Sequence, residues 1–127
     1  MRKLNVLLVD DNPLFLKTAR DLIAGLPHVE RIECANSGAE ALVQAGLSRP
    51  DLVLTDIMMP EMSGFAVIRA LRALDQPPQV VAVTLHGSPE YRAAARRTGA
   101  DDCISKRELG TLIPEMIASM AGSGGAP

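Results

Sequence analysis

A chain of 127 residues and 13.5 kDa has the size of one domain, which at this length buries roughly two thirds of its unfolded surface and requires no disulfide or structural metal. A net charge of -2, with a pI near 5.6, and an aromatic set limited to Phe15, Phe65 and Tyr91 offer neither the basic field nor the stacking platforms of a nucleic-acid binder. The apolar runs are too short for a membrane span and Met1-Arg2-Lys3 leads into a strand, not a signal peptide; Cys34 and Cys103 form neither a disulfide framework nor a thiolate metal pair. A soluble, cytoplasmic protein is expected.

Five apolar runs rich in β-branched residues read as strands: Leu4 to Val9, Val29 to Ala35, Leu52 to Thr55, Val80 to Thr84 and Asp102 to Ser105. VLLV, LVLT and VVAVT are apolar throughout, as strands covered on both faces of a parallel sheet are; the outer two alternate, as edges do. A helical pattern follows each. The first starts at Asn12-Pro13, carries Phe15, Ala19, Leu22, Ile23 and Leu26 at helical spacing, and ends at Gly25 and Pro27. The second opens on the capping pattern Ser37-Gly38-Ala39-Glu40 and is limited by Gly46 and Pro50. The third is expected from about Ser63 until Gln76-Pro77-Pro78. The fourth runs from Ser88-Pro89 to Gly99 with a modest inner face of Tyr91, Ala94 and Ala95. The last carries Leu109, Leu112, Ile113, Met116, Ile117 and Met120. Pro114 belongs in a first turn, so its regular part is expected to start near Gly110 or Thr111.

Five such units predict an α/β fold: a flavodoxin-like, doubly wound three-layer sandwich with parallel strand order 2-1-3-4-5. Cys34 and Cys103 then lie on opposite edge strands, too far apart to bridge, as free thiols. The domain is expected over residues 1–120, with 121–127 (AGSGGAP) as a flexible tail.

Ligands of such a fold bind at the carboxyl ends of the strands. Those ends carry Asp10 and Asp11, Asp56, Thr84 and Lys106. Three carboxylates in one crevice are tenable at neutral pH when a cation is shared among them, and hard oxygen ligands suit Mg²⁺ or Mn²⁺. A lysine and a hydroxyl at the same rim suit the remaining oxygens of a phosphoryl group. Met58, Met59 and Met62 read as loop and packing residues, and Pro60 and Gly64 as loop geometry. Arg92, Arg96 and Arg97 read equally as a solvated helix face or a docking surface. His86 reads as a modulator of water access or as an ordinary loop residue.

From VLLVDDNP through LVLTDIMMPEMSG and VVAVT to GADDCISK, the chain resembles the receiver domain of two-component response regulators. The resemblance implies a phosphoacceptor at Asp56, served by a sensor histidine kinase or phosphotransfer protein. It implies Mg²⁺ on Asp11 directly, on Asp10 through water, on Asp56 and on the Met58 backbone carbonyl. Lys106 would contact the phosphoryl group and Thr84 would be the switch hydroxyl. The implied output is a conformational signal to a downstream protein, without nucleic acid or membrane, and with homodimerisation through helix 4, strand 5 and helix 5 among the expected assemblies. With little chain after Met120, a stand-alone relay is expected, the alternative being a piece of a longer regulator; no enzyme is expected, the domain only supporting its own phosphoryl transfer and dephosphorylation.

Three positions depart from the family pattern. Cys103 stands where receivers carry a switch tyrosine or phenylalanine, Arg107 where a proline follows the lysine, and Leu85 where a small residue follows the switch threonine, a place from which it is expected either to obstruct donor entry or to slow hydrolysis. Cys103 and Leu85 motivate an alternative, a receiver-like scaffold acting by protein contacts without phosphorylation, against which the retention of all five site residues argues. A phosphatase of the haloacid-dehalogenase type is a third reading, weakened because Asn12 occupies the second acidic position of its Asp-x-Asp motif. A flavin site is disfavoured because DDNPLF offers no phosphate loop.

Overall fold

The structure, a computed structural model, describes residues 2–85 and 87–123. His86 and residues 124–127 lie outside the described residues, and with them the reading of His86 and most of the expected tail. The elements alternate along the chain as β1 (Leu4–Val9), α1 (Pro13–Ala24), β2 (Val29–Ala35), α2 (Gly38–Ser48), β3 (Leu52–Asp56), α3 (Gly64–Arg72), β4 (Gln79–Thr84), α4 (Pro89–Thr98), β5 (Asp102–Ser105) and α5 (Leu109–Ser123), with a 3₁₀ turn over Lys106–Glu108 before the last helix. The strands form one parallel sheet in the order β2-β1-β3-β4-β5. This is the flavodoxin-like fold the alternation predicts.

Strand residues alternate between two cores, because successive side chains leave a pleated strand on opposite faces. Leu4, Val6 and Leu8 join Leu54, Val81 and Ile104 under α1 and α5, while Leu7 and Val9 join Val53, Val80 and Ala82 under α2, α3 and α4. All of β3 is buried, which explains its unbroken apolar run. Cys34 and Cys103 are free thiols on the two edge strands. Burial pushes both above the usual thiol range.

The first four helix starts read from the sequence each carry a side-chain cap. Asn12 Oδ1 accepts from the N–H groups of Leu14 and Phe15, Ser37 Oγ from Glu40, and Ser63 and Ser88 from Ala66 and Tyr91. Three boundaries differ from expectation. Helix α3 stops at Arg72, where the Ala73 N–H already bonds back to Ala70 and Leu71, so Leu74 is exposed beyond the helix. Helix α5 begins at Leu109, not Gly110 or Thr111, because the 3₁₀ turn feeds directly into it. Pro114 therefore lies in the second turn, not the first. The bond it cannot donate is the one to Gly110, close to the helix start, and the buried row Leu109, Ile113, Ile117 and Met120 offsets the loss. The helix also overruns the expected boundary at residue 120: Ala121 is buried and the helix continues through Ser123.

Candidate functional site

The carboxyl edge of the sheet gathers the residues singled out above. Asp10 directly follows β1, its N–H extending the ladder to the Ala35 carbonyl at 3.1 Å. Asp56 ends β3 opposite Val83, and Thr84 ends β4 opposite Ser105. Lys106 opens the 3₁₀ turn after β5. Asp10, Asp56 and Thr84 are buried, whereas Asp11 is exposed at the rim. One carboxylate oxygen from each of Asp10, Asp11 and Asp56 lies within 4.8 Å of the others.

Both buried carboxylates are oriented by the backbone that follows them. Asp10 Oδ1 accepts from Asn12 N at 2.9 Å, and Asp56 Oδ1 from Met58 N at 3.1 Å. Their second oxygens face Lys106, whose Nζ is 2.7 Å from Asp10 Oδ2 and 3.5 Å from Asp56 Oδ2. Burial, and secondly the nearby Asp10 charge, push the Asp56 carboxyl above its ordinary value, while the Met58 N–H and Lys106 pull it back in part. The pocket is thus anionic and only partly compensated by its lysine. Its donors are all hard carboxylate oxygens, the set that suits a small divalent cation.

Leu14, Met58 and Leu85 are exposed near this end of the sheet. The Tyr91 hydroxyl lies 4.0 Å from Met58 Sδ, linking α4 to the loop after β3. Cys103, at the expected switch position, is buried among Ala82, Ala95 and Ala100, where a thiol has no ring to swing outward. A depression of about 1180 Å³ lies at the other end of the strands beside Asp51, Pro78, Gln79 and Asp102. It contains none of the clustered carboxylates.

Four contributors escape sequence reasoning. Phe15 reads as core, yet the Lys106 ammonium sits 4.2 Å from its ring centroid; its place in the first turn after the acidic pair is the available signal. Gly64 reads as loop geometry, yet it packs against the backbone of Asp56 itself. Arg92 and Arg96 read equally as a solvated helix face or a docking surface, yet they pair with Glu108 at 3.2 Å and Asp102 at 3.6 Å.

Glu108 Oε1 also accepts from Ser105 N at 3.0 Å, tying α4 to the turn that carries Lys106. That backbone hydrogen bond, with Arg92 as a smaller contributor, holds the Glu108 carboxyl below its ordinary value. A depressed folded-state value means stabilisation present above the unfolded value and lost as pH falls through the folded one. Glu108→Ala is accordingly expected to lower the melting temperature modestly at pH 7, with the difference from wild type vanishing in acid; a difference that persists there would contradict the ionised contact.

Residues 6–118 match the family model for the response regulator receiver domain. The chain is 36% identical over 114 residues to a gliding motility regulatory protein of Myxococcus xanthus, covering 88% of this chain and 14% of that protein. It is 37% identical over 118 residues to the transcriptional regulatory protein PrrA of Mycobacterium leprae, covering 89% and 46%. Among solved structures, the response regulator domain of Thermotoga maritima CheB superposes with a TM-score of 0.83 at 26% identity, covering 95% of this chain and 98% of that one. The signal receiver domain of NarL from Mycobacterium tuberculosis gives 0.86 at 29%, covering 96% and 98%. The chain thus spans less than half the length of these curated relatives. A parallel βα sheet with an acidic cluster and a lysine at its carboxyl edge, matched by the family model over nearly its whole length, belongs to the response regulator receiver domains of two-component signalling.

Proposed function

We propose that Asp56 accepts a phosphoryl group from a sensor histidine kinase or phosphotransfer protein and that the change is passed to a downstream protein. The observation that carries this reading is the convergence of three carboxylate oxygens within 4.8 Å with one lysine shared by two of them. An Asp56 oxygen attacks phosphorus, the bond from phosphorus to the donor breaks, and the electron pair stays on the donor, so the carboxylate becomes an acyl phosphate; a small acyl phosphate donor leaves as its own carboxylate, and a phosphohistidine leaves as imidazole, directly if its ring was protonated and otherwise with a proton taken from solvent. The Met58 N–H holds Oδ1, which orients the carboxylate. Lys106 meets the incoming phosphoryl oxygens with positive charge, and the Thr84 hydroxyl at the adjoining strand end supplies a donor to them. Drawing Thr84 inward biases the loop into α4, whose ties to Met58 through Tyr91 and to Glu108 through Arg92 extend the change to the α4, β5 and α5 face.

Asp10, Asp11, Asp56 and the Met58 carbonyl would hold Mg²⁺, or Mn²⁺, which when bound offsets the charge repulsion between carboxylate and phosphoryl group. In this reading the chain supports its own phosphorylation and dephosphorylation and turns over no other substrate. Among the described residues no helix is long and apolar enough to cross a membrane, and a cytoplasmic location fits the kinase donors the reading requires. A homodimer through α4, β5 and α5 is a further element of the proposal, as is signalling without nucleic-acid contact by these residues. The test is intact mass after incubation with a small acyl phosphate and Mg²⁺. One acid-stable, base-labile phosphoryl group is expected, and its formation is expected to stop when the cation is chelated. No adduct with any donor or kinase would favour the scaffold reading.

A further inference from the structure

The Lys106 side chain is held in a mostly buried place, 11% exposed, by three neighbours. Asp10 Oδ2 lies 2.7 Å from its Nζ, Asp56 Oδ2 3.5 Å, and the Phe15 ring centroid 4.2 Å. Two of these neighbours change during the reaction proposed above. The carboxylates are the oxygens that a divalent cation would claim, and Asp56 loses its carboxylate charge when it becomes an acyl phosphate. Neither event touches the Phe15 ring, which is uncharged, does not titrate and has no lone pair to offer a metal.

We infer that Phe15 is the positioning residue for Lys106, its ring face keeping the ammonium beside the phosphoryl site while Asp10 and Asp56 are otherwise engaged. The inference rests on the phosphoacceptor reading. An ammonium within about 6 Å of a ring centroid is attracted by the negative ring face, more strongly where water is scarce. Because that attraction spreads over the face, the ammonium can slide from a carboxylate oxygen to a phosphoryl oxygen and stay engaged. A hydrogen bond to a fixed acceptor would restrict the slide.

The ring itself is well placed. Phe15 lies in the first turn of α1, its N–H accepted by Asn12 Oδ1 at 3.3 Å, and it packs against the core beneath α1 and α5. Asn12 also donates its own N–H to Asp10 Oδ1 at 2.9 Å. One residue therefore aligns two of the three partners of Lys106. A purely packing role for Phe15 makes a different prediction, since leucine would serve the lysine stem almost as well as a ring.

The experiment compares wild type, Phe15→Leu and Phe15→Tyr, each also in a Lys106→Met background, using a small acyl phosphate with Mg²⁺ and intact mass as the rate readout. Phe15→Leu is expected to slow phosphorylation by about threefold to tenfold, the scale of a lost cation–π contact, and Phe15→Tyr to restore the rate. In the Lys106→Met background the leucine substitution should cost nothing further. In the metal-free protein, the Lys106 ε-methylene protons should show an upfield ring-current shift by NMR in wild type and Phe15→Tyr, and lose it in Phe15→Leu. The inference is overturned alone if wild type is phosphorylated and Phe15→Leu reacts as fast, if the leucine cost persists without the lysine, or if wild type lacks the shift. A wild type that accepts no phosphoryl group overturns the phosphoacceptor reading and this inference together.

Discussion

Asp56→Asn is expected to abolish phosphoryl uptake and, in the presence of a chelator, to raise the melting temperature at neutral pH. The first effect follows from chemistry: a carboxamide oxygen lacks the charge that makes the carboxylate a nucleophile. The second follows from the environment. Burial, followed by the Asp10 charge, raises the Asp56 carboxyl above its ordinary value in the folded protein. The folded state then keeps its proton over a window where the unfolded chain has released it, so stability falls as pH rises from the unfolded value, near 3.8, through the raised folded one, and stays lower at pH 7. Asparagine has no such loss, its side-chain oxygen can still accept from Met58 N, and Lys106 retains Asp10 at 2.7 Å. The stability gain should therefore shrink to nothing in acid, where wild-type Asp56 is protonated. With Mg²⁺ the order changes, because a ligand at 100 times its dissociation constant stabilises the folded state by about 2.7 kcal/mol, and the variant has lost one of three carboxylates. Phosphorylation of the variant, or a lower melting temperature in chelator at pH 7, would contradict the argument.

Much of this site is legible in the sequence because parallel βα topology converts position along the chain into position in space. Asp10, Asp56, Thr84 and Lys106 each end or follow a strand, and the parallel arrangement of those four strands in one sheet brings their ends to one edge. The buried strands β3 and β4 are equally legible from their unbroken apolar runs. What escapes is where long side chains lie. Lys106 can be assigned to the rim, but its placement between Asp10, Asp56 and Phe15 depends on rotamers set by tertiary packing. Arg92 looks like any helix-surface cation until β5 and its turn bring Glu108 within reach. Pro114 misleads for a related reason: the 3₁₀ turn before α5 shifts the helix start upstream, and the row of buried aliphatics under α5 outweighs one missing backbone bond.

Gly64→Ala sets helix propensity against sterics, and the magnitudes decide between them. Gly64 is the first residue of α3, and an exposed glycine-to-alanine change inside a helix gains about 1 kcal/mol. A Cβ at Gly64, however, would lie 2.0 Å from the Asp56 carbonyl oxygen and 2.6 Å from Ile57 Cα. Both are backbone atoms of the segment that presents Asp56, and Gly64 N is itself bonded to the Ile57 carbonyl at 2.9 Å. Relief thus requires α3 to separate from the end of β3 by roughly 1 Å, an overpacking cost of about 3 kcal/mol or more that exceeds the propensity gain. A drop in melting temperature on the order of 10 °C is expected, together with slower phosphorylation, since a shift of this size at the nucleophile removes much of the benefit of its orientation. Gly46→Ala is the control: Gly46 is an exposed position inside α2, and a Cβ there meets nothing within 4 Å, so the propensity gain stands unopposed. If Gly64→Ala melts with wild type, the close approach does not constrain Asp56. If the two alanine variants lose stability equally, the loss at Gly64 does not come from the backbone that holds the phosphoacceptor.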